Sequence, residues 1–160
     1  MKTPFRTLAL VALWALSGPA IAAEAVPINA TFGVQWTPID WTDPTCRKTE
    51  SLGAAEFPPG RVISLITRDC LNVLPPARIT SDLGILAFSP TDWVWVSYEN
   101  IPAGYDPVTN TASFGGPLKV VGGTGRFAGA TGTLTIQTKI LFEPLPVGTF
   151  TIKGVIKTAK

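Results

Sequence analysis

The sequence predicts an exported all-β protein, in which a signal peptide precedes one small domain of seven or eight short strands that form a closed or nearly closed β-barrel, with a sandwich as the alternative. Three observations support this fold class. Apolar residues alternate with polar ones at a period of two in several segments. Proline and glycine each occur 15 times, and their spacing interrupts the chain too often for long helices. The amino end has a charged start, an apolar run and small residues, in the order typical of signal peptides.

The signal peptide is predicted to span residues 1–22. Lys2 and Arg6 come first, an apolar run covers 8–14, and the segment ends in Ala20-Ile21-Ala22-Ala23. That run is shorter than the ~20 residues of a membrane span, so it predicts cleavage after Ala22, or alternatively after Ala23. An amphipathic or buried helix would not explain the charged start and the Ala-x-Ala motif together. The barrel domain would then comprise residues 23–160 of a secreted or periplasmic protein with no membrane span.

The charge of the mature chain is close to neutral. The whole sequence has 13 basic and 11 acidic residues, and cleavage removes the basic Lys2 and Arg6 but no acidic residue. The remaining basic residues are scattered and form no block longer than two. A basic surface for nucleic acid is therefore not predicted.

The two cysteines, Cys46 and Cys70, allow a single intramolecular pairing, and a disulfide is the expected state in an oxidising compartment. It would stabilise the fold by roughly 3 kcal/mol. A metal site or a catalytic thiol is the alternative, but the sequence has no histidine to serve as a partner. We therefore expect no metal and no cofactor.

Individual strands follow from the apolar alternation. Phe32, Val34 and Trp36 share one face of an opening strand, and segments 133–142 and 149–157 show the same period. Segment 61–74 is rich in β-branched residues and also predicts a strand. Segment 39–56 is less clear, and its first part has the composition of a loop held by the disulfide.

The strand around Trp93 is apolar on both faces. Trp93 and Trp95 share one face, and Val94, Val96 and Tyr98 share the other. Such a strand needs cover on both sides, from the barrel interior and from a loop or partner subunit. The sequence does not say which face points inward.

Segment 117–134 contains five glycines within eleven positions, from Gly122 to Gly132. A phosphate-binding loop would need a helix directly after the glycines and a Lys-Ser/Thr pair, whereas a strand is predicted there. We therefore expect two strands joined by a tight glycine turn, with Phe127 tucked inward as a plug.

The run Val120-Val121-Gly122-Gly123-Thr124-Gly125-Arg126-Phe127, followed by Ala130-Thr131-Gly132, resembles the dirigent proteins and allene oxide cyclases, including bacterial members of that barrel superfamily. The resemblance is confined to the C-terminal half. It implies an eight-stranded antiparallel, calycin-like β-barrel with an apolar interior, often trimeric. It also implies a role in guiding a reactive small molecule to one stereochemical outcome.

Two departures separate this chain from those activities. Thr131 stands where dirigent proteins usually have the pocket arginine, and Ala128 stands where allene oxide cyclases have a glutamate. Neither specific activity is therefore transferred, and the barrel with its cavity is what the resemblance predicts.

No catalytic constellation stands out, so the candidate residues are aromatic or charged side chains near the expected cavity. The ligand-binding candidates are Trp36, Trp93, Trp95, Tyr98, Phe127 and Arg126. Phe114 and Phe150 extend the aromatic set, and Asp92, Glu99, Asp106 and Glu143 are charged residues near predicted strand ends. Most of the aromatic residues are expected in the core, and Arg126 is expected to pair with an acidic neighbour.

Three functions stay open at this point. The first is binding of a small apolar or aromatic molecule inside the barrel. The second is a cyclase, isomerase or dirigent-like stereochemical guide, and the third is a structural barrel that forms a homo-oligomer, such as a dimer or trimer. A buried ionisable group with a perturbed pKa would favour the enzyme, and a dry apolar interior would favour binding.

Overall fold

The structure is a computed structural model that describes residues 23–57 and 61–159. The predicted signal peptide lies outside the described residues. Eight strands follow one another along the chain: β1 Ala25–Asp40, β2 Arg47–Glu56, β3 Val62–Asn72, β4 Arg78–Ala87, β5 Trp93–Asp106, β6 Thr111–Gly123, β7 Thr131–Leu141 and β8 Val147–Lys157. A 3₁₀ turn, Gly125–Phe127, lies between β6 and β7. No helix in the described part of the chain has the length and apolar character to cross a membrane.

The strands form a closed antiparallel barrel of eight strands, which confirms the predicted fold and excludes the alternative sandwich. Each strand pairs with the next, and β1 pairs with β8 over a continuous register from Ala25↔Lys157 to Gln35↔Val147. Closure gives every strand two neighbours, which removes the exposed edges of an open sheet. The protein core therefore lies inside one continuous sheet.

The predicted alternation is confirmed in the strands that close the barrel. Phe32, Val34 and Trp36 of β1 point into the interior and are buried, whereas Thr31, Gly33 and Gln35 are exposed. The same alternation buries Leu134, Ile136 and Ile140 of β7, and Phe150, Ile152 and Ile156 of β8. The apolar interior supplies the main favourable free energy of folding.

The structure decides which face of β5 is internal. Val94, Val96 and Tyr98 are buried in the barrel, while Trp93 and Trp95 lie on the outer surface with 38% and 37% of their area exposed. Asn100 has a positive φ of 52°, and the pairing of β5 with β4 shifts register there, so that Ile101 also becomes buried.

Strand β2 lies in the segment that the sequence left unclear. Its inward residues are small and mostly polar, Thr49, Ser51 and Ala55, so the period-two apolar signal is missing. Gly53 lies between them, where an added Cβ would come within 2.5 Å of Val34 Cγ1. The small inner face of β2 thus lets β1 approach closely, and the loop is confined to residues 41–46.

The Cys46–Cys70 disulfide is present, as predicted. It joins the end of loop 41–46 to β3, with the two Cα atoms 4.8 Å apart and the cysteines separated by 24 positions. The bond ties that loop to one end of the barrel, which is called the disulfide end below.

The glycine segment closes the opposite end, called the glycine end. Phe127 is fully buried and packs against Phe88 with ring centroids 4.8 Å apart, so the predicted plug is confirmed. Gly125 has a φ of +56°, and a Cβ there would collide with Asp92 Oδ1. A side chain would therefore disrupt the turn. Strand β7 follows directly, which agrees with the rejection of a phosphate loop.

Candidate functional site

The barrel opens to a cavity of about 550 Å³ at the disulfide end. Its inner wall is formed by buried side chains of four strands: Trp36, Ile79, Phe114 and Ile140. The rim comes from residues at strand ends and in the loops 41–46, 73–77, 107–110 and 142–146. The size is in the range of small-molecule sites, which are typically ~300–1,000 Å³.

Aromatic rings in edge contact form one side of this cavity. Trp36 lies 5.5 Å from Trp41 and 5.3 Å from Phe142, measured between ring centroids. Tyr105 adds a third contact, 5.9 Å from Phe142, and its hydroxyl donates to Asn110 Oδ1 at 2.9 Å. Rings that already pack edge to face hold one another in place, so the wall is shaped before any ligand enters.

A positive charge lies beside the aromatic rings. The Cζ atom of Arg47 is 5.1 Å from the centroid of Trp41, which is cation–π geometry. Arg47 is half-buried at the start of β2 and lines the cavity. The site therefore combines an apolar wall with a guanidinium group.

Several buried polar atoms near the cavity have no hydrogen-bond partner among the described residues. They are Trp36 Nε1, Arg47 Nε, Thr49 Oγ1 and Ser51 Oγ. Arg47, Thr49 and Ser51 occupy alternate positions on β2, so their side chains share its inner face, and Trp36 is the cross-strand neighbour of Ser51. Unpartnered polar atoms therefore run from the cavity into the barrel along one strand.

A buried polar cluster, defined as Thr49, Ser51, Thr67, Asp69, Ser81 and Tyr98, begins one inward position below the cavity lining. On β3, Asp69 is the next inward-facing residue deeper in the barrel than Leu71 of the cavity lining. On β4, Ser81 has the same relation to Ile79. Register places Thr49 beside Asp69 and Ser81 beside Tyr98. The cluster is therefore assembled from four neighbouring strands.

Asp69 is the centre of this cluster. Its Oδ1 accepts a 2.6 Å hydrogen bond from the Tyr98 hydroxyl, and its Oδ2 accepts one of 2.9 Å from Thr67 Oγ1. Burial raises the pKa of Asp69 to about 6, although the hydrogen bonds from Tyr98 and Thr67 act in the opposite direction. Burial also raises the pKa of Tyr98 well above its ordinary value, with the Asp69 charge adding to the effect. A carboxyl group with such a pKa can hold or release a proton near neutral pH.

The structure separates the ligand-binding candidates predicted from sequence. Trp36 lines the cavity and Tyr98 belongs to the polar cluster. Trp93 and Trp95 lie on the outside of the barrel, and the Trp93 indole donates to Ser89 O at 3.0 Å. These four residues therefore do not form one site.

Arg126 and Phe127 lie at the glycine end. Arg126 Nε is 3.8 Å from Asp92 Oδ2, and its Cζ lies 4.7 Å from the Phe127 ring centroid. The expected acidic partner of Arg126 is thus Asp92. A second cavity of about 360 Å³ is found at this end, lined in part by Arg126 and by Phe57 and Phe88, whose rings are in edge contact at 5.8 Å between centroids, and it is smaller than the first.

The other charged candidates are peripheral. Glu99 and Asp106 are exposed, and Glu143 is exposed at the rim of the larger cavity. Phe114 and Phe150 pack together inside the barrel at 5.6 Å between ring centroids. In the ranges 23–57 and 61–159 no group of three or more His, Cys, Asp or Glu side chains could hold a metal ion.

Sequence reasoning missed Arg47, Trp41, Phe142 and Asp69. A signal existed for Asp69, because it continues the apolar face of β3 after Ile63, Leu65 and Thr67, and a carboxylate at such a position needs hydrogen-bond partners. Arg47 had no comparable signal, since β2 itself carries no apolar alternation.

Comparison with known proteins places the chain in no family: no family model, curated protein or solved structure matches it.

Proposed function

We propose that the protein is an exported β-barrel that binds one small aromatic or apolar molecule in the cavity at the disulfide end. The observation that carries this proposal is the open 550 Å³ cavity with an inner wall of Trp36, Phe114 and Ile140. Apolar cavities of this kind gain free energy when a ligand covers their surface. The Cys46–Cys70 disulfide supports export, since such bonds persist in oxidising compartments.

Native mass spectrometry of the mature protein purified from its own host tests this proposal. We expect a co-purifying small molecule, or a complex formed with members of a panel of apolar and phenolic compounds. Ala112 lines the cavity, so Ala112→Phe should fill it and abolish the complex. Ala54→Phe, at an exposed position on the outside of β2, is the matched control and should leave binding intact. A protein that binds nothing in the panel, or that binds equally with Ala112→Phe, would rule out the cavity.

Catalysis in the same cavity is a second candidate, favoured by the Asp69–Tyr98 pair. In a cyclase, isomerase or dirigent-like guide, the apolar wall would orient a reactive intermediate and Asp69 would exchange a proton with it. Turnover of a cavity ligand that disappears in Asp69→Asn while binding is retained would support this function. If the ligand is recovered unchanged after prolonged incubation with the unmodified protein, the cavity binds the ligand without catalysis.

A structural role is a third candidate, favoured by a row of apolar side chains on the outer surface. Leu52, Ile66, Ile85 and Trp95 are successive cross-strand partners on β2 to β5. Leu52, Ile66 and Trp95 are partly exposed, as at surfaces that associate. Light scattering should then show a dimer or trimer that Trp95→Lys dissociates, and a monomer at high protein concentration would exclude this role.

A further inference from the structure

Two residues that line the larger cavity, Trp36 and Arg47, carry buried donors that indicate more about its ligand than the apolar wall does. Trp36 has 2% of its area exposed, and its indole Nε1 has no acceptor within the described structure. Arg47 Nε, on the neighbouring strand β2, is also buried and has no hydrogen-bond partner among the described residues. A buried donor that is left unpaired destabilises the protein, and a charged donor does so more strongly. Trp36 and Arg47 both line the same cavity, so a small side-chain movement in its wall would let a single acceptor group pair with both donors.

The charge on Arg47 selects among acceptor groups. Arg47 forms no ion pair in the described ranges, and its guanidinium is held against the Trp41 ring at 5.1 Å. Glu143 also lines the cavity, but its side chain is exposed and makes no ion pair with Arg47. A guanidinium favours oxyanions such as carboxylates and phosphates, to which it donates charge-assisted hydrogen bonds.

The rest of the ligand is determined by the rings around these donors. Trp36 is in edge contact with both Trp41 and Phe142, so the donor atoms are embedded in an aromatic wall. A flat aromatic body could pack against this wall while its oxyanion faces Arg47 and Trp36 Nε1. A plain hydrocarbon would cover the same wall but leave both donors unpaired.

We propose that the cavity at the disulfide end is specific for aromatic acids, with the oxyanion bound by Arg47 and Trp36 Nε1 and the ring packed against Trp41 and Phe142. This inference rests on the proposed binding function and names the ligand class. It assigns Arg47 the role of selecting anionic ligands over uncharged ones.

Two fluorescent probes with the same aromatic body separate charge recognition from simple burial. 8-Anilinonaphthalene-1-sulfonate carries a sulfonate, and N-phenyl-1-naphthylamine is its uncharged counterpart. A cavity without suitable donors favours the uncharged probe, because a sulfonate must lose hydration when it binds. Fluorescence titration measures the affinity for each probe. We expect the mature protein to bind the sulfonate at least about tenfold more tightly than the uncharged probe.

Variants of Arg47 and Trp36 locate the recognition. Arg47→Gln should weaken sulfonate binding about tenfold or more and change binding of the uncharged probe by no more than about twofold. Trp36→Phe removes the indole donor and keeps an aromatic ring, and should act in the same direction. Arg68→Gln is the control, since it removes the same charge from the outer surface, where Arg68 pairs with Glu50 at 3.0 Å. Circular dichroism is used to check that each variant is folded.

The outcomes separate a failure of the anion selectivity from a failure of the proposed binding function. If both probes bind equally in the unmodified protein, or if Arg68→Gln acts as strongly as Arg47→Gln, the anion selectivity is wrong while cavity binding stands. If neither probe binds while members of the apolar and phenolic panel do, the anion selectivity is wrong and cavity binding stands, and if the panel also fails to bind, both proposals fail. The comparison of probes in the unmodified protein decides the question even if Arg47→Gln does not fold. A shift of the Trp36 indole NMR signal with the sulfonate alone would place the oxyanion at Nε1.

Discussion

The Tyr98 hydroxyl donates a 2.6 Å hydrogen bond to Asp69 Oδ1 inside the barrel, where each residue has 4% of its area exposed. The two residues come from β3 and β5, and Ser81 of the intervening strand is the cross-strand neighbour of Tyr98. A carboxyl group so far from water depends on its hydrogen bonds for compensation. Stability measurements on this pair therefore report on the interior of the barrel.

The stability of the protein should decrease as pH rises from about 4 to about 6. The pKa of Asp69 is raised from 3.8 to about 6 in the folded state, so in this window the folded protein retains a proton that the unfolded chain has released. The stabilisation present below pH 4 amounts to about 3 kcal/mol and is lost as pH passes through the folded pKa. Urea unfolding at intervals of pH measures it.

Asp69→Asn is the control for this pH dependence, because the amide does not titrate. Hydrogen bonds from Thr42, Thr45 and Thr109 lower the pKa values of Asp40, Asp43 and Asp106, which are exposed. The stabilisation from these three groups is present above pH 4 and is lost as pH falls below it, so it lies outside the Asp69 window. A slope between pH 4 and 6 that persists in Asp69→Asn would contradict the assignment to Asp69.

Tyr98→Phe should destabilise the fold by about 1–3 kcal/mol, because it leaves Asp69 Oδ1 without its donor. Loss of this bond should also raise the pKa of Asp69 further, since the Tyr98 hydrogen bond lowers it. Urea unfolding at pH 5 and pH 7 gives both effects. Tyr105→Phe removes a hydroxyl that bonds to Asn110 at the exposed rim and should change stability little. Equal losses in the two variants would mean that the buried pair has no special role.

Replacement of both cysteines by serine should lower the free energy of unfolding by about 3 kcal/mol, since the bond closes a loop between residues 24 positions apart. The bond also ties loop 41–46, which carries Trp41, to β3. Ligand binding at the disulfide end should therefore weaken together with stability, whereas the glycine end should keep its structure. Denaturant unfolding and a binding titration on the same variant measure the two effects, and unchanged binding would show that the loop is held without the bond.

Phe127→Ala should cost about 3–5 kcal/mol, because the ring is fully buried against Phe88 at the glycine end. Val108→Ala is a surface control, since Val108 is 92% exposed in a loop at the opposite end. Thermal unfolding followed by circular dichroism compares them. A small effect of Phe127→Ala would show that the glycine segment is not needed to close the barrel.

The sequence alone determined the all-β class, the disulfide pairing, the inward faces of β1, β7 and β8, and the buried position of Phe127. Each of these depends on local information: a side-chain period of two, a single possible cysteine pair, or glycines around one apolar residue. Trp36 was the one ligand-binding candidate from sequence that lines the larger cavity, because inward direction and closeness to a strand end coincide there.

Tertiary structure alone decided the register that closes the predicted barrel, the direction of Trp95 and the composition of the cavity. Closure depends on pairing between β1 and β8, which are at opposite ends of the chain, and β5 is apolar on both faces. Strand β2 was not predicted because its inward residues are small and polar. Arg47 was missed for the same reason, and it contacts Trp41 only when loop 41–46 folds back. The cavity is built from residues far apart in sequence, and their proximity results from the register of the strands.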